Sequence, residues 1–219
     1  IAIIDADPRV TGAAPVDLFV GADLLAAHAL EIDYDAQRFR LLPTGRMPFR
    51  GITAPLRLAG PAGLYLSELD LGGRRHRPVI VDTGDGSMVT LTRSAWRGVE
   101  PAGSIVTTAI AWGLGGQVES EVTIVPALRI AALPANEIEL RIEPDTGFSG
   151  RKGAAGRLGG GLLRRHRVLL GPGAGRMILA PAARSDWPVT RSTSGLMVGQ
   201  RGDRLRVLHV LRGTPAAAE

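Results

Sequence analysis

The sequence contains no cysteine and a single lysine, Lys152, among its 219 residues. Without cysteine there is no disulfide, no thiol nucleophile and no thiolate-ligated metal. The compartment stays open, because exported proteins can also lack cysteine. No apolar run reaches 18 residues, so no helical membrane span is expected. Neither an initiator Met nor a signal-peptide pattern precedes the opening strand-like stretch Ile1-Ala2-Ile3-Ile4, which predicts further chain upstream, removed by processing or truncation. There is no Gly-x-Ser-x-Gly elbow, and the glycine-rich stretch 153–161 lacks the Lys-Ser/Thr of a phosphate loop. His28, His76, His166 and His209 have no metal-ligand spacing. Neither a metal nor a cofactor is expected.

Apolar residues make up 45% of the chain, which places it among folded proteins. The length allows one or two domains. Twenty-nine Gly and 15 Pro supply many turns and favour a β-rich fold. The net charge of +5 is carried almost wholly by Arg, clustered at Arg74-Arg75-His76-Arg77 and Arg164-Arg165-His166-Arg167. With no interleaved aromatics and no zinc-finger or RNA-binding signature, these clusters read as solvated faces, and no nucleic-acid partner is expected.

An internal repeat organises the chain. Residues 20–43 and 158–181 align without a gap at an offset of 138, with eight of 24 positions identical. Gly21 matches Gly159, Leu24 and Leu25 match Leu162 and Leu163, His28 matches His166, Arg38 matches Arg176, and Pro43 matches Pro181. Each copy predicts an apolar-Gly step, a short helix (Ala22–Ala27; Gly160–Arg165) and two strands joined by a turn, at Asp35-Ala36 and Gly171-Pro172-Gly173. Ahead of the second copy, strands are predicted at Leu64–Leu66, Leu69–Leu71, Pro78–Val81, Met88–Leu91, Leu128–Ile130 and Ile138–Ile142. Gly72-Gly73 and Pro134-Ala135-Asn136 serve as turns.

One of these strands ends in chemistry. Val79-Ile80-Val81 runs straight into Asp82-Thr83-Gly84, and Arg157-Leu158-Gly159 supplies a later apolar-Gly element followed by the helix at 160–165. Phe19-Val20-Gly21 repeats the later element. This constellation resembles the retropepsin-like aspartic peptidases of the pepsin and retroviral type, over roughly residues 1–182. The resemblance implies an all-β, retropepsin-like acid-protease lobe, a closed β-barrel with one short helix. It implies an aspartic endopeptidase hydrolysing a peptide or protein substrate. Asp82 would be one carboxylate of the dyad, Thr83 would brace the loop against its counterpart in the other lobe, and Gly84 would allow a tight turn and aim its N–H at the carboxylate. Two such carboxyls about 3 Å apart share one proton, so one activates water while the other polarises the carbonyl.

Asp82 precedes Gly159 by 77 residues, so by the repeat the partner Asp falls about 56 residues before Ile1, on an upstream lobe. A homodimer partner is the other source. Asp145-Thr146-Gly147 follows Glu143-Pro144 rather than an apolar strand, 63 residues from Asp82, and reads as a surface loop. Asp85, where the family places Ala or Ser, puts a third carboxylate beside the site. A catalytically inactive peptide-binding protein is therefore the alternative. The segment Thr107–Ser120 is the candidate for the β-hairpin flap of such enzymes, with Trp112, Gly115 and Gly116 as substrate contacts at its tip; an ordinary glycine turn with Trp112 in the core is equally compatible. Trp96 and Trp187 read as packing or hinge residues.

Residues 194–219 carry Ser194-Gly195-Leu196-Met197-Val198, a strand, and Arg212-Gly213-Thr214-Pro215-Ala216. This resembles the start of a PDZ domain, with Gly195, Leu196 and Met197 at the carboxylate loop. A plain β-hairpin is the other reading. The expected layout is 1–43, the end of a first lobe; 44–55, a linker; 56–182, a complete lobe; 183–193, a linker; and 194–219, a partial PDZ module. Bacterial proteins joining such lobes to a PDZ domain are exported, so the resemblance implies a periplasmic or otherwise exported protein.

Overall fold

The computed structural model describes residues 21, 25–60, 63–113, 116–183 and 193–218. Its strands, in chain order, are β1 (Ala29–Asp33), β2 (Arg38–Leu42), β3 (Ile52–Pro55), β4 (Arg57–Ala59), β5 (Leu64–Leu71), β6 (Arg74–Asp82), β7 (Val89–Thr92), β8 (Thr107–Gly113), β9 (Gly116–Ile130), β10 (Leu133–Glu143), β11 (Gly156–Gly159), β12 (His166–Gly171), β13 (Arg176–Pro181), β14 (Leu196–Arg201) and β15 (Arg204–Val210). The fold is all-β. Where one short helix is expected, the described residues hold three four-residue α-turns: α1 (Arg93–Trp96), α2 (Phe148–Arg151) and α3 (Gly160–Leu163). The two extra turns follow from local caps. The Thr92 hydroxyl accepts from Ala95 N–H to start α1, and Gly147 opens α2.

The described residues form two compact units, one within 21–105 and 123–183, the other within 106–122 and 193–218. In the larger unit the strand order β5-β6-β11-β7-β10-β9 closes on itself through the pairing of Asp70 with Arg129. Inside lie Leu69, Leu71, Val79, Val81, Leu91, Val125, Ile130, Ile138, Leu140, Ile142, Leu158, Leu162 and Leu163, all buried. At about 1.5–3 kcal/mol per fully buried aliphatic side chain, this core is the main source of stability. Strand β6 is apolar on both faces for a reason. Val79 and Val81 point into this core, while Ile80 packs on the opposite face with Leu66 and Ala154.

The repeat appears as a pseudo-twofold. Hairpin β1–β2 and hairpin β12–β13 have equivalent registers, Ala29 opposite Leu42 and Arg167 opposite Ala180. The two hairpins join edge to edge, β1 antiparallel to β12. Glu31 faces Leu169, its own repeat equivalent 138 residues on, with Leu30 opposite Leu170 and Ile32 opposite Val168 on either side. Strand β3 adds to the β13 edge. It lies in the segment 44–55 read as a linker, so that connector carries a strand. In the helix predicted at Ala22–Ala27, residues 22–24 lie outside the described residues; Leu25 N–H bonds to Gly21 C=O at 3.2 Å.

One turn falls elsewhere than predicted. The chain reverses at Ala131, which takes φ +51°, and β10 runs straight through Pro134-Ala135-Asn136. Pro134 sits at the start of β10 with its ring exposed, where a missing N–H is tolerated. The smaller unit contains hairpin β8–β9, with Thr107 opposite Val122 and Gly113 opposite Gly116, and hairpin β14–β15. No helix among the described residues is long and apolar enough to cross a membrane.

Candidate active site

Asp82 is the last residue of β6. Strand β11 lies between β6, to which it is parallel, and β7, to which it is antiparallel. Gly159 therefore sits directly beside Asp82, and Leu158 beside Val81. The loop 83–87 folds over the end of β11. Gly160 N–H donates to Asp85 C=O at 2.6 Å and Gly161 N–H to Ser87 C=O at 3.0 Å. A Cβ on Gly159 would lie 2.2 Å from the Ser87 carbonyl oxygen, and one on Gly161 would lie 2.7 Å from that of Gly86. Only glycine permits this approach.

Asp82 is half-buried, while Thr83 and Gly84 are exposed. Gly84 N–H donates to Asp82 Oδ1 at 3.1 Å. Gly84 does not need to be glycine for the turn itself. Its φ is not in the left-handed region, and a Cβ there would meet only Asp82 Oδ1, at an ordinary 3.5 Å. Burial pushes the Asp82 carboxyl above its usual range, helped by the Asp85 charge. The N–H groups of Gly84 and Asp85 and the Arg157 guanidinium oppose this without cancelling it.

Asp85 is not a loose third charge. Its Oδ1 accepts from Ser87 N–H at 2.9 Å, and its Oδ2 takes Arg157 Nε–H at 2.9 Å. Burial alone would raise its carboxyl, but the Ser87 N–H and the Arg157 charge outweigh burial and hold it below the ordinary Asp value. Two neighbouring carboxyls are thus driven apart in acidity by their different partners.

Arg157 escaped the sequence reading, in which it was only the first residue of the later element. Its Nη1 reaches Glu143 Oε2 at 3.1 Å and Ser149 Oγ at 3.4 Å, and its guanidinium lies 5.3 Å from the Phe148 ring centroid. Glu143 also accepts from Ser149 N–H at 2.8 Å. The available signal was an Arg inside a short strand flanked by Gly and Leu, a position that demands an anionic partner.

Asp145, in the second Asp-Thr-Gly, is exposed and has a different partner. Its Oδ1 accepts from Ser94 N–H at 2.9 Å at the start of α1, which lowers its carboxyl below the usual value. Trp112 and Gly116 belong to hairpin β8–β9 in the smaller unit; Trp112 is half-buried, and Gly116 takes φ +99° opposite Gly113. Gly115 and Trp187 lie outside the described residues. Trp96 is a core residue, 3% exposed. Gly195 takes φ +75° and packs so tightly on Thr214 that a Cβ would fall 2.2 Å from its hydroxyl. Leu196 N–H meets Ser194 Oγ at 3.2 Å, and Leu196 and Met197 pair with Val210 and His209. No group of His, Asp or Glu among the described residues could hold a metal ion.

No protein-family model matches the sequence, and no curated protein matches it. Among solved structures, the chain is similar to the crystal structure of a retropepsin-like aspartic protease from Rickettsia conorii, with 13% identity and a TM-score of 0.39, over 63% of this chain and 100% of that one. A likeness below a TM-score of 0.5 decides neither fold nor chemistry by itself.

Proposed function

We propose that this chain carries one catalytic lobe of an aspartic endopeptidase, with Asp82 as its reacting carboxylate. The observation behind this is the placement of Asp82. A half-buried carboxyl stands at the open end of a strand buried on both faces, receives a backbone N–H from Gly84, and is walled by the glycine end of a parallel strand. A second carboxylate from a paired lobe, upstream or on a second copy, completes the pair. Neither Asp85 nor the Asp of the second Asp-Thr-Gly is the partner, since Asp85 is committed to Arg157 and Asp145 to α1. In such a pair one carboxyl holds the shared proton and polarises the scissile carbonyl. The other, ionised, takes the proton of the attacking water.

The hairpin β8–β9 is the proposed flap, Trp112 and the glycines at its tip covering bound peptide. Hairpin β14–β15, with the Gly195 loop packed on Thr214, is the proposed beginning of a PDZ-like module that takes a peptide C-terminus by strand addition.

The test is cleavage of an unstructured protein by the full-length protein at acid and neutral pH, with and without Asp82→Asn. Loss of at least about a hundredfold in rate is expected from removing a group that moves a proton in the reaction. Cleavage at an unchanged rate in the variant overturns the assignment. Tight peptide binding with no cleavage by either form favours the binding-protein alternative.

A further inference from the structure

Arg157 is half-buried on the central strand β11, and its contacts go to three separate segments. These are Asp85 in the loop after β6, Glu143 at the end of β10, and Ser149 with Phe148 on α2. A guanidinium is suited to this, having five donors in a rigid plane and a face that stacks on an aromatic ring. We propose that Arg157 is a positioning residue for Asp82. It anchors the 82–87 loop to β10 and α2 through Asp85 and neutralises Asp85, so that the carboxyl of Asp82 does not face an uncompensated negative neighbour. This rests on Asp82 being the reacting carboxylate.

Around Asp82 the charged side chains are few. Asp85 lies within its own loop, Arg157 on β11, and Glu143 at the end of β10 beyond Arg157. Strand β7 and α3, which also pack on this loop, have no charged residue within Val89–Thr92 or Gly160–Leu163. Arg151 on α2 donates to Thr146 C=O instead. Two acids therefore share one base, and the pair Asp85–Arg157 is the nearer to the site.

The inference is tested by carboxyl carbon NMR titration of the full-length protein, a measurement that needs no enzymatic turnover. Arg157→Met should move the titration midpoints of both Asp82 and Asp85 upward, by about one pH unit for an acid losing a contacting cation. Arg157→Lys should restore part of the shift, as a point charge without the fork. Asp85→Asn should lower the Asp82 midpoint by removing the like charge, and this variant stands in if Arg157→Met does not fold. An Asp82 midpoint unmoved in folded Arg157→Met, or in Asp85→Asn, overturns the proposal. If the midpoints move as stated but no variant, nor the unmodified protein, cleaves peptide, the endopeptidase reading falls while the electrostatic role of Arg157 stands.

Discussion

At the scale of single residues, the two acids of the Asp82–Asp85 loop pull stability in opposite directions with pH. The folded state raises the carboxyl of Asp82, so the native protein binds a proton there more tightly than the unfolded chain does. Its ionisation costs stability as pH rises from about 3.9, the value of a free Asp, through the folded value. Asp85 is the reverse. Its folded value is depressed, so its contribution is fully present above the unfolded value and is lost as pH falls through the folded one. Asp82→Asn is therefore expected to raise the thermal unfolding midpoint at neutral pH. Asp85→Asn should lower it, through a loss of stability of about 1–3 kcal/mol, because Arg157 is left with an unmatched donor. Equal and same-signed changes would show that neither electrostatic assignment holds. The sequence made Asp82 legible through the apolar strand before it. Of the two roles expected of Gly84, its N–H does meet the Asp82 carboxyl, but the turn itself does not need glycine; the steric need lies at Gly159 and Gly161, whose partners, the Ser87 and Gly86 carbonyls, come from a segment about 70 residues away. Arg157 was hidden for the same cause, its partner Asp85 being 72 residues away.

At the scale of elements, the short strand β11 and the paired hairpins do the positioning. Gly159→Ala would drive a methyl to 2.2 Å from the Ser87 carbonyl oxygen, against backbone that cannot rotate away. A loss of at least about 2 kcal/mol is expected from such overpacking. Gly84→Ala, whose Cβ would make only an ordinary 3.5 Å contact with Asp82 Oδ1, should stay within about 0.5 kcal/mol of the unmodified protein. Chemical denaturation of the two variants decides this; equal losses would mean that the loop does not sit on β11 as described. The pseudo-twofold seam is a second device. Glu31 is 1% exposed and is gripped by Arg40, at 2.6 Å, from its own hairpin and by Arg167 from the other. Arg167 stacks 4.6 Å over Phe49. Glu31→Ala removes one acid from two bases. Because both Arg side chains reach solvent and can rehydrate, a loss of about 1–3 kcal/mol is expected, less than for a fully buried pair. The repeat in the sequence disclosed that these hairpins are equivalent. It could not disclose that they pair edge to edge, because register is set by tertiary packing of Leu30, Ile32, Val168 and Leu170 rather than by any local signal.

At the scale of the whole molecule, two buried imidazoles work against the fold as pH falls. His76 is 3% exposed on β6, and its Nε2 has no hydrogen-bond partner among the described residues. Burial, with the Arg74 charge, pushes its basicity down, and the Asp70 carboxylate only partly opposes this. His166, 7% exposed on β12, is likewise lowered by burial, while its contact with Leu162 C=O at 3.3 Å opposes the shift. Both are neutral in the fold and more basic when unfolded. Below about pH 6.5 the unfolded chain therefore takes up protons that the native state does not, and stability falls as pH falls through that window. These two groups pull the unfolding midpoint down from pH 7 to pH 5, against the opposite pull of Asp82, each kcal/mol being worth about 2–4 °C for a chain of this size. His76→Leu removes one titrating group and one orphaned nitrogen, so its decline over the same range should be shallower. If the midpoint of His76→Leu falls between pH 7 and pH 5 as steeply as that of the unmodified protein, the buried His76 imidazole does not contribute to this loss.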